Sequence, residues 1–294
     1  MKPLVFALPG NEELTGSICA QLEAEAGELE VHRFPDGESR VRIVTPVEGR
    51  SVAFVCTLHE PDPKIAPLLF AAGTAKELGA GRVGLVAPYL SYMRQDKRFH
   101  DGEAITSVQF GKLLSAWFDW LVTVDPHLHR HAALREVYSI PDRTLHAAPL
   151  ISQWIQGNIR EPVLVGPDAE SEQWVSAVAK GAGAPFLVLE KTRRGDRDVE
   201  VSVPEVEKYL GRTPVLVDDI ISTAHTMIET VGHLKHVGLL PPVCIGVHAV
   251  FASGGYAELK ASTVERIVTC NSIAHETNAI DLSALIAGGV KELL

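Results

Sequence analysis

Runs of apolar, largely β-branched residues recur along the chain, end in polar or proline-containing loops, and are mostly followed by segments with helical spacing. Val5–Leu8 leads to a predicted helix over Glu12–Ala26 with Leu14, Ile18 and Leu22 on one face, and Ser51–Leu58 leads to one over Ile65–Leu78. Val83–Ala87 and Trp120–Val124 are the next strands, and Leu145–Pro149 is a short link. The pattern then restarts. A helix over Leu150–Gln156 precedes the strand Val163–Asp168, a helix over Ser171–Lys180 and the strand Phe186–Leu189. Val199–Val203, Pro214–Val217, Val243–Phe251 and Arg266–Cys270 follow as strands, with helices over Met227–His236, from Gly254, and at the carboxyl end. Alternation of this kind folds as α/β layers. The restart predicts two halves, 1–145 and 146–294.

A chain of 294 residues with 46% hydrophobic content can bury cores of that number and size. Its formal charge of -10 and isoelectric point near 5.6 argue against a nucleic-acid surface, so any anion must be held by individually placed residues. Cys19, Cys56, Cys244 and Cys270 are scattered and form no CxxC pair; they read as reduced core residues of a cytoplasmic protein, not as disulfides or zinc ligands. No apolar run reaches membrane-spanning length, and Met1-Lys2-Pro3-Leu4 passes directly into a strand, which predicts no export signal and no membrane partner.

The chemistry-bearing residues lie where strands end. Pro214-Val215-Leu216-Val217 is a buried strand closed by Asp218-Asp219, and Ile220 to Thr226 is a hydroxyl-rich turn opening a helix. Free N–H groups and the helix dipole at such a turn attract a phosphate, and Ser222, Thr223 and Thr226 add donors. The two acids then hold ribose hydroxyls or a metal, which suggests a phosphorylated sugar; the plain alternative is an acidic strand end followed by a helix cap. Pro88 to Phe99 interleaves Tyr89, Tyr92, Arg94, Gln95, Lys97 and Arg98 past another strand end, a set suited to a planar ring bearing phosphates or to a solvated basic loop. Asp125-Pro126-His127-Leu128-His129-Arg130-His131 follows a third strand; His127 suits a magnesium or nucleotide site, while His129 and His131 read as surface residues. Pro35-Asp36-Gly37 is a hairpin turn with Arg33 and Glu38 crowded on its tip, and Glu190 to Asp198 gathers cations around Gly195.

Taken together, these segments resemble the ribose-phosphate pyrophosphokinases, relatives of the type I phosphoribosyltransferases, and they occur in that family's order. The resemblance implies two similar phosphoribosyltransferase-like domains, each a mainly parallel sheet flanked by helices, with ATP loops in the first and the ribose 5-phosphate site and catalytic loop in the second. It implies that Asp218 and Asp219 and the turn Ser222, Thr223, Ala224, His225 and Thr226 bind ribose 5-phosphate. Arg94 and Gln95 would contact ATP, as would Asp36, Gly37 and Glu38 lent by a neighbouring subunit, which demands at least a dimer. His127 and Asp168 would hold Mg2+. Lys191 and Arg193 would be the catalytic cations, Arg193 also reaching the sugar phosphate. The implied reaction moves the diphosphoryl group of MgATP to the C1 hydroxyl of ribose 5-phosphate, giving phosphoribosyl pyrophosphate and AMP. Rival readings are a phosphoribosyltransferase that consumes this product and a non-catalytic nucleotide-binding homologue. Ser222 stands where the family's bacterial pattern has an acid, His225 where it has glycine, and Ala169-Glu170-Ser171-Glu172 lacks a common Gly-Gly; these departures bear on affinity and control more than on reaction class.

Overall fold

The computed structural model describes residues 2–128, 130–167, 171–193, 199–202 and 206–294. They group into two compact units. The first is Met1–His146 with Ser272–Ala274 and Leu282–Leu294; the second is Ala147–Asn271 with His275–Asp281.

The first unit begins β1 (Leu4–Ala7), α1 (Glu12–Leu22), β2 (Glu25–Gly27), then an antiparallel hairpin of β3 (Leu29–Arg33) and β4 (Ser39–Ile43). It continues with β5 (Ser51–Val55), α2 (Asp62–Glu77), β6 (Arg82–Ala87), α3 (Thr106–Trp117), β7 (Trp120–Val124) and β8 (Asp142–Leu145). Its sheet has six strands in the order β2-β1-β5-β6-β7-β8, all parallel. The continuous apolar runs follow from that arrangement, because inner parallel strands are covered on both faces; β7 is buried at every position. Phe6 and Phe54 stack across β1 and β5 with centroids 5.3 Å apart.

The second unit repeats the plan. It contains α4 (Ala148–Asn158), β9 (Pro162–Gly166), α5 (Glu172–Ala182), β10 (Phe186–Val188), the antiparallel pair β11 (Glu190–Arg193) and β12 (Val199–Ser202), and β13 (Thr213–Ile221). Then come α6 (His225–His236), β14 (Val243–Ala249), α7 (Gly255–Ala261), β15 (Arg266–Cys270) and β16 (Asn278–Ile280). Its six-stranded parallel sheet runs β10-β9-β13-β14-β15-β16. Both sheets place their second strand outside their first, and both insert an antiparallel hairpin between their second and third strands. The hairpin bearing Asp36 and Glu38 is thus the topological counterpart of the one bearing Lys191 and Arg193.

Several boundaries differ from the sequence reading. The first helix stops at Leu22, not Ala26: Glu23 adopts φ 52, and the chain turns at once into β2. Helix α3 and strands β2, β8 and β16 were not anticipated. The strand expected to close at Val217 continues through the acid pair to Ile221, because β14 offers it a ladder out to Ala249. The carboxyl-terminal α8 (Ser283–Lys291), last in the second half by sequence order, packs on α1 and β8 of the first unit. Arg143 Nε, 2.5 Å from Glu292 Oε2, and Arg82, donating to Leu293 O at 2.8 Å, tie down the segment that ends it. All four cysteines are free and buried. Among the described residues no helix is long and apolar enough to cross a membrane.

Candidate functional site

In the second unit the strand order reverses between β9 and β13, and open α/β sheets bind ligands outside the carboxyl ends of strands at such a point. Asp218 and Asp219 sit at that end of β13, Asp218 opposite Gly246 on β14. The Asp219 N–H donates to Asp218 Oδ1 at 2.9 Å. Ser222 and Thr223 are half-buried, whereas His225 and Thr226 are exposed at the start of α6. Ala224 precedes that helix with φ 60 and supplies no capping side chain. Alanine is a poor cap, costing about 1 kcal/mol against serine or aspartate. A helix start left uncapped, beside two hydroxyls, retains the N–H donors that an anion needs. The left-handed residue is Ala224, not His225, so the histidine found in place of glycine carries ordinary helical geometry.

The turn is held from behind. Phe251 N–H donates to Ile221 O at 2.8 Å, and a Cβ on Gly255 would lie 2.4 Å from the Ser222 carbonyl oxygen. Phe251 packs on Tyr256 and His275 with centroids 5.1 and 4.6 Å away, and burial holds the His275 imidazolium pKa below its usual value. Gly255→Ala is therefore expected to displace the turn, lowering stability by about 1–3 kcal/mol and raising the KM for a ligand bound there. Thermal denaturation and steady-state kinetics read both; an unchanged melting temperature and KM would show that the turn does not depend on this close approach.

Asp168 follows β9 in the chain but lies outside the described residues, as do 194–198 in the cationic segment. Lys191 and Arg193 occupy alternate positions of β11, paired in register with Val201 and Val199.

In the first unit the hairpin tip closes through Phe34 N–H to Glu38 O at 2.8 Å and Glu38 N–H to Asp36 Oδ1 at 3.1 Å. Gly37 takes φ 93, a conformation open to glycine at little cost. Asp36, Gly37 and Glu38 are exposed, and Arg33, Gly37, Glu38, Asp62 and Phe70 line an open groove of about 750 Å³ beside them.

The loops after β6 and β7 emerge from the carboxyl ends of neighbouring strands. In the first, Tyr92 has φ 62, its hydroxyl bonds Asp62, and its ring packs on Phe110 with centroids 4.7 Å apart. The ring is half-buried. Arg94 is exposed. The Gln95 side-chain carbonyl accepts from the Thr106 hydroxyl, and its backbone carbonyl from Ser107 N–H at 3.3 Å, which fixes the loop on the start of α3 and leaves the Gln95 amide NH2 to donate. In the second loop, Asp125 has φ 34, its N–H donates to Leu145 O at 2.9 Å, and its Oδ1 lies 2.8 Å from His146 Nδ1. His127 is half-buried two residues on.

The hydrogen bond to Asp125 raises the His146 pKa above its ordinary value despite partial burial. A raised folded pKa stabilises fully below about pH 6.5, the unfolded value, and the contribution disappears as pH climbs through the folded pKa. The side chain is 70% exposed, so solvent screening limits the effect to below about 1 kcal/mol. Urea denaturation across neutral pH should show that shallow loss, and His146→Asn should abolish it.

At the equivalent reversal point of the first sheet, between β1 and β5, side chains of the protein itself occupy the strand ends. Buried Asn11 accepts from Thr57 N–H at 2.8 Å and donates to Leu8 O at 3.1 Å, and Lys64 Nζ donates to Thr57 O and His59 O at 3.0 and 2.6 Å. Sequence reasoning passed over Asn11, Lys64, Thr106 and Gly255, because their roles come from contacts between elements distant in the chain.

Residues 4–117 match the model of the N-terminal domain of ribose phosphate pyrophosphokinase, and residues 134–285 match the phosphoribosyl transferase domain. The chain is 30% identical over 290 residues to the ribose-phosphate pyrophosphokinase of Methanothermobacter thermautotrophicus, covering 98% of this chain and 100% of that protein. It is also 30% identical over 293 residues to the one from Methanopyrus kandleri, covering 99% of each. The crystal structure of phosphoribosylpyrophosphate synthetase from Mycobacterium smegmatis superposes with a TM-score of 0.86 at 21% identity, covering 100% of this chain and 99% of that one, and so shares its fold. With both domain models matched in order and relatives aligned from end to end, the chain belongs to the ribose-phosphate pyrophosphokinase family.

Proposed function

We propose that the protein is a ribose-phosphate diphosphokinase: it transfers the diphosphoryl group of MgATP to the C1 hydroxyl of ribose 5-phosphate, releasing AMP and forming phosphoribosyl pyrophosphate. The observation that carries this reading is the match of the first half to the pyrophosphokinase N-terminal domain. A phosphoribosyltransferase that consumes the product would account only for the second half, and a non-catalytic homologue would leave the cations of β11 without a task.

Division of labour follows the two units. Residues 1–145 present the nucleotide loops, with Arg94 on the phosphates and the Gln95 amide donating to the base. Residues 146–294 bind the sugar phosphate, Asp218 and Asp219 accepting from ribose hydroxyls and the turn Ser222–Thr226 taking the 5-phosphate through N–H and hydroxyl donors. Asp36, Gly37 and Glu38 stand exposed on a hairpin, which supports their donation to a neighbouring subunit's nucleotide pocket and hence a homo-oligomer. The buried, free cysteines support a cytoplasmic location.

Among the described residues no three His, Cys, Asp or Glu side chains gather around a common point. His127 and Asp168 are donor types suited to Mg2+, which keeps several waters and takes substrate phosphates with one or two protein groups. When bound, that ion would supply positive charge to the substrate phosphates. Lys191 and Arg193 stabilise charge moving toward the departing AMP, and Arg193 also holds the sugar phosphate. The C1 hydroxyl is comparatively acidic for a sugar, so its proton can pass to water without a strong base from the chain. Purified protein incubated with MgATP and ribose 5-phosphate should yield AMP and phosphoribosyl pyrophosphate together; AMP without the sugar product, or neither, would refute the assignment.

A further inference from the structure

The loops bearing Arg94 and His127 are joined by one ion pair that the proposed reaction does not itself use. Asp96 Oδ1 accepts from Arg130 Nη1 at 2.8 Å; the Asp96 side chain is 1% exposed and that of Arg130 is 43% exposed. The second carboxylate oxygen, Oδ2, is buried and has no hydrogen-bond partner among the described residues. A carboxylate withdrawn this far from water needs a compensating charge, and Arg130 is the partner that supplies it. Its neighbour Gln95 is pinned on the opposite side, to Thr106 and Ser107 at the start of α3. Consecutive residues are thus gripped by two different elements, and Arg94, immediately before them, is left exposed.

Arg130 belongs to the loop after β7, whose root is fixed by Asp125 to Leu145 and His146. The Arg130 side chain is partly exposed, so the pair bridges the two loops from the surface to the buried Asp96 carboxylate. Breaking it frees the nucleotide loop and the histidine loop from each other without removing apolar packing. We infer that Asp96 and Arg130 are positioning residues that latch the Arg94-Gln95 loop to the His127 loop, so that the nucleotide contacts and the cation contact are presented as one surface. Neither residue touches substrate in this account; the latch acts through Arg94, Gln95 and His127. The inference rests on the nucleotide role proposed for Arg94.

Steady-state kinetics of the full-length enzyme with ATP, ribose 5-phosphate and Mg2+ varied separately tests it. Arg130→Met and Asp96→Asn should each raise the KM for ATP and the Mg2+ concentration at half-activation by about tenfold, with the KM for ribose 5-phosphate held within about twofold. The double variant should be no worse than the poorer single one, since the two residues act through one contact. Arg130→Lys, which keeps the charge and loses the planar fork, should recover part of the loss. Unchanged ATP and Mg2+ dependences in Arg130→Met, a parallel rise in the KM for the sugar phosphate, or multiplying effects in the double variant would overturn the latch. If Asp96→Asn does not fold, the comparison of Arg130→Met with Arg130→Lys, which alters an exposed side chain, decides the matter. Arg94→Ala serves as the reference: if it leaves the ATP KM unchanged, the nucleotide assignment itself fails, whereas a raised KM there with none in Arg130→Met sinks only the latch.

Discussion

Lys191→Ala is expected to lower kcat by about two powers of ten or more while leaving the KM for ribose 5-phosphate within about twofold, by analogy with removal of one preorganised donor from an oxyanion site. Phosphoryl transfer asks little covalent chemistry of the protein. Its barrier is lowered by fixing reactants in line and by meeting charge as it shifts toward the leaving group. A cation used only at that moment contributes to turnover and not to the resting affinity of the sugar phosphate. Lys191 sits on β11, which pairs with β12 in a two-stranded hairpin outside the main sheet. Steady-state kinetics with each substrate varied in turn measures the split, and equal losses in kcat and in affinity for the sugar would contradict the role.

The opposite pattern is expected at Asp218. Asp218→Ala should raise the KM for ribose 5-phosphate by roughly tenfold to a hundredfold, as expected when hydrogen bonds to one charged acceptor are removed, with a smaller change in kcat. The carboxylate is presented at the carboxyl end of β13 and already accepts from the Asp219 N–H at 2.9 Å, an arrangement that fixes its orientation before ligand arrives. Its interaction with ribose hydroxyls is present in ground state and transition state alike, so its loss appears mainly in KM. An unchanged KM would refute the assignment of Asp218.

The α/β class was legible because parallel strands covered on both faces must be apolar throughout, and Trp120–Val124, Val83–Ala87 and Arg266–Cys270 appear in the structure within one residue of the sequence reading. Helix α3 was hidden: it follows a long polar loop, and its buried positions include Ser107 and Gly111 as well as Phe110 and Leu114, which blurs the apolar spacing. Strands β2 and β16 have three residues each, too few for any period to show. The placement of α8 beside α1 depends on contacts nearly the whole chain apart, for which local pattern carries no signal.

The candidate site was legible to a similar degree. The acid pair and the hydroxyl-rich turn stand out in the sequence by residue type, although an acidic strand end followed by a helix cap has the same composition. Their support does not stand out. That Ala224 and not His225 takes the left-handed conformation, that Gly255 admits the turn, and that Asp96 reaches Arg130 all depend on where separate segments meet. The identical strand order of the two sheets was foreshadowed only by the restart of the alternation, because topology is a matter of which strands pair and not of what each contains.

Phosphorus NMR of a reaction containing ATP, ribose 5-phosphate, Mg2+ and the purified protein tests the central claim most directly. The account predicts equal amounts of AMP and a sugar bearing a diphosphate at C1, with no ADP at any time, because the β and γ phosphorus atoms leave ATP together. Formation of ADP with a singly phosphorylated C1, or no transfer to the sugar at all, would contradict it.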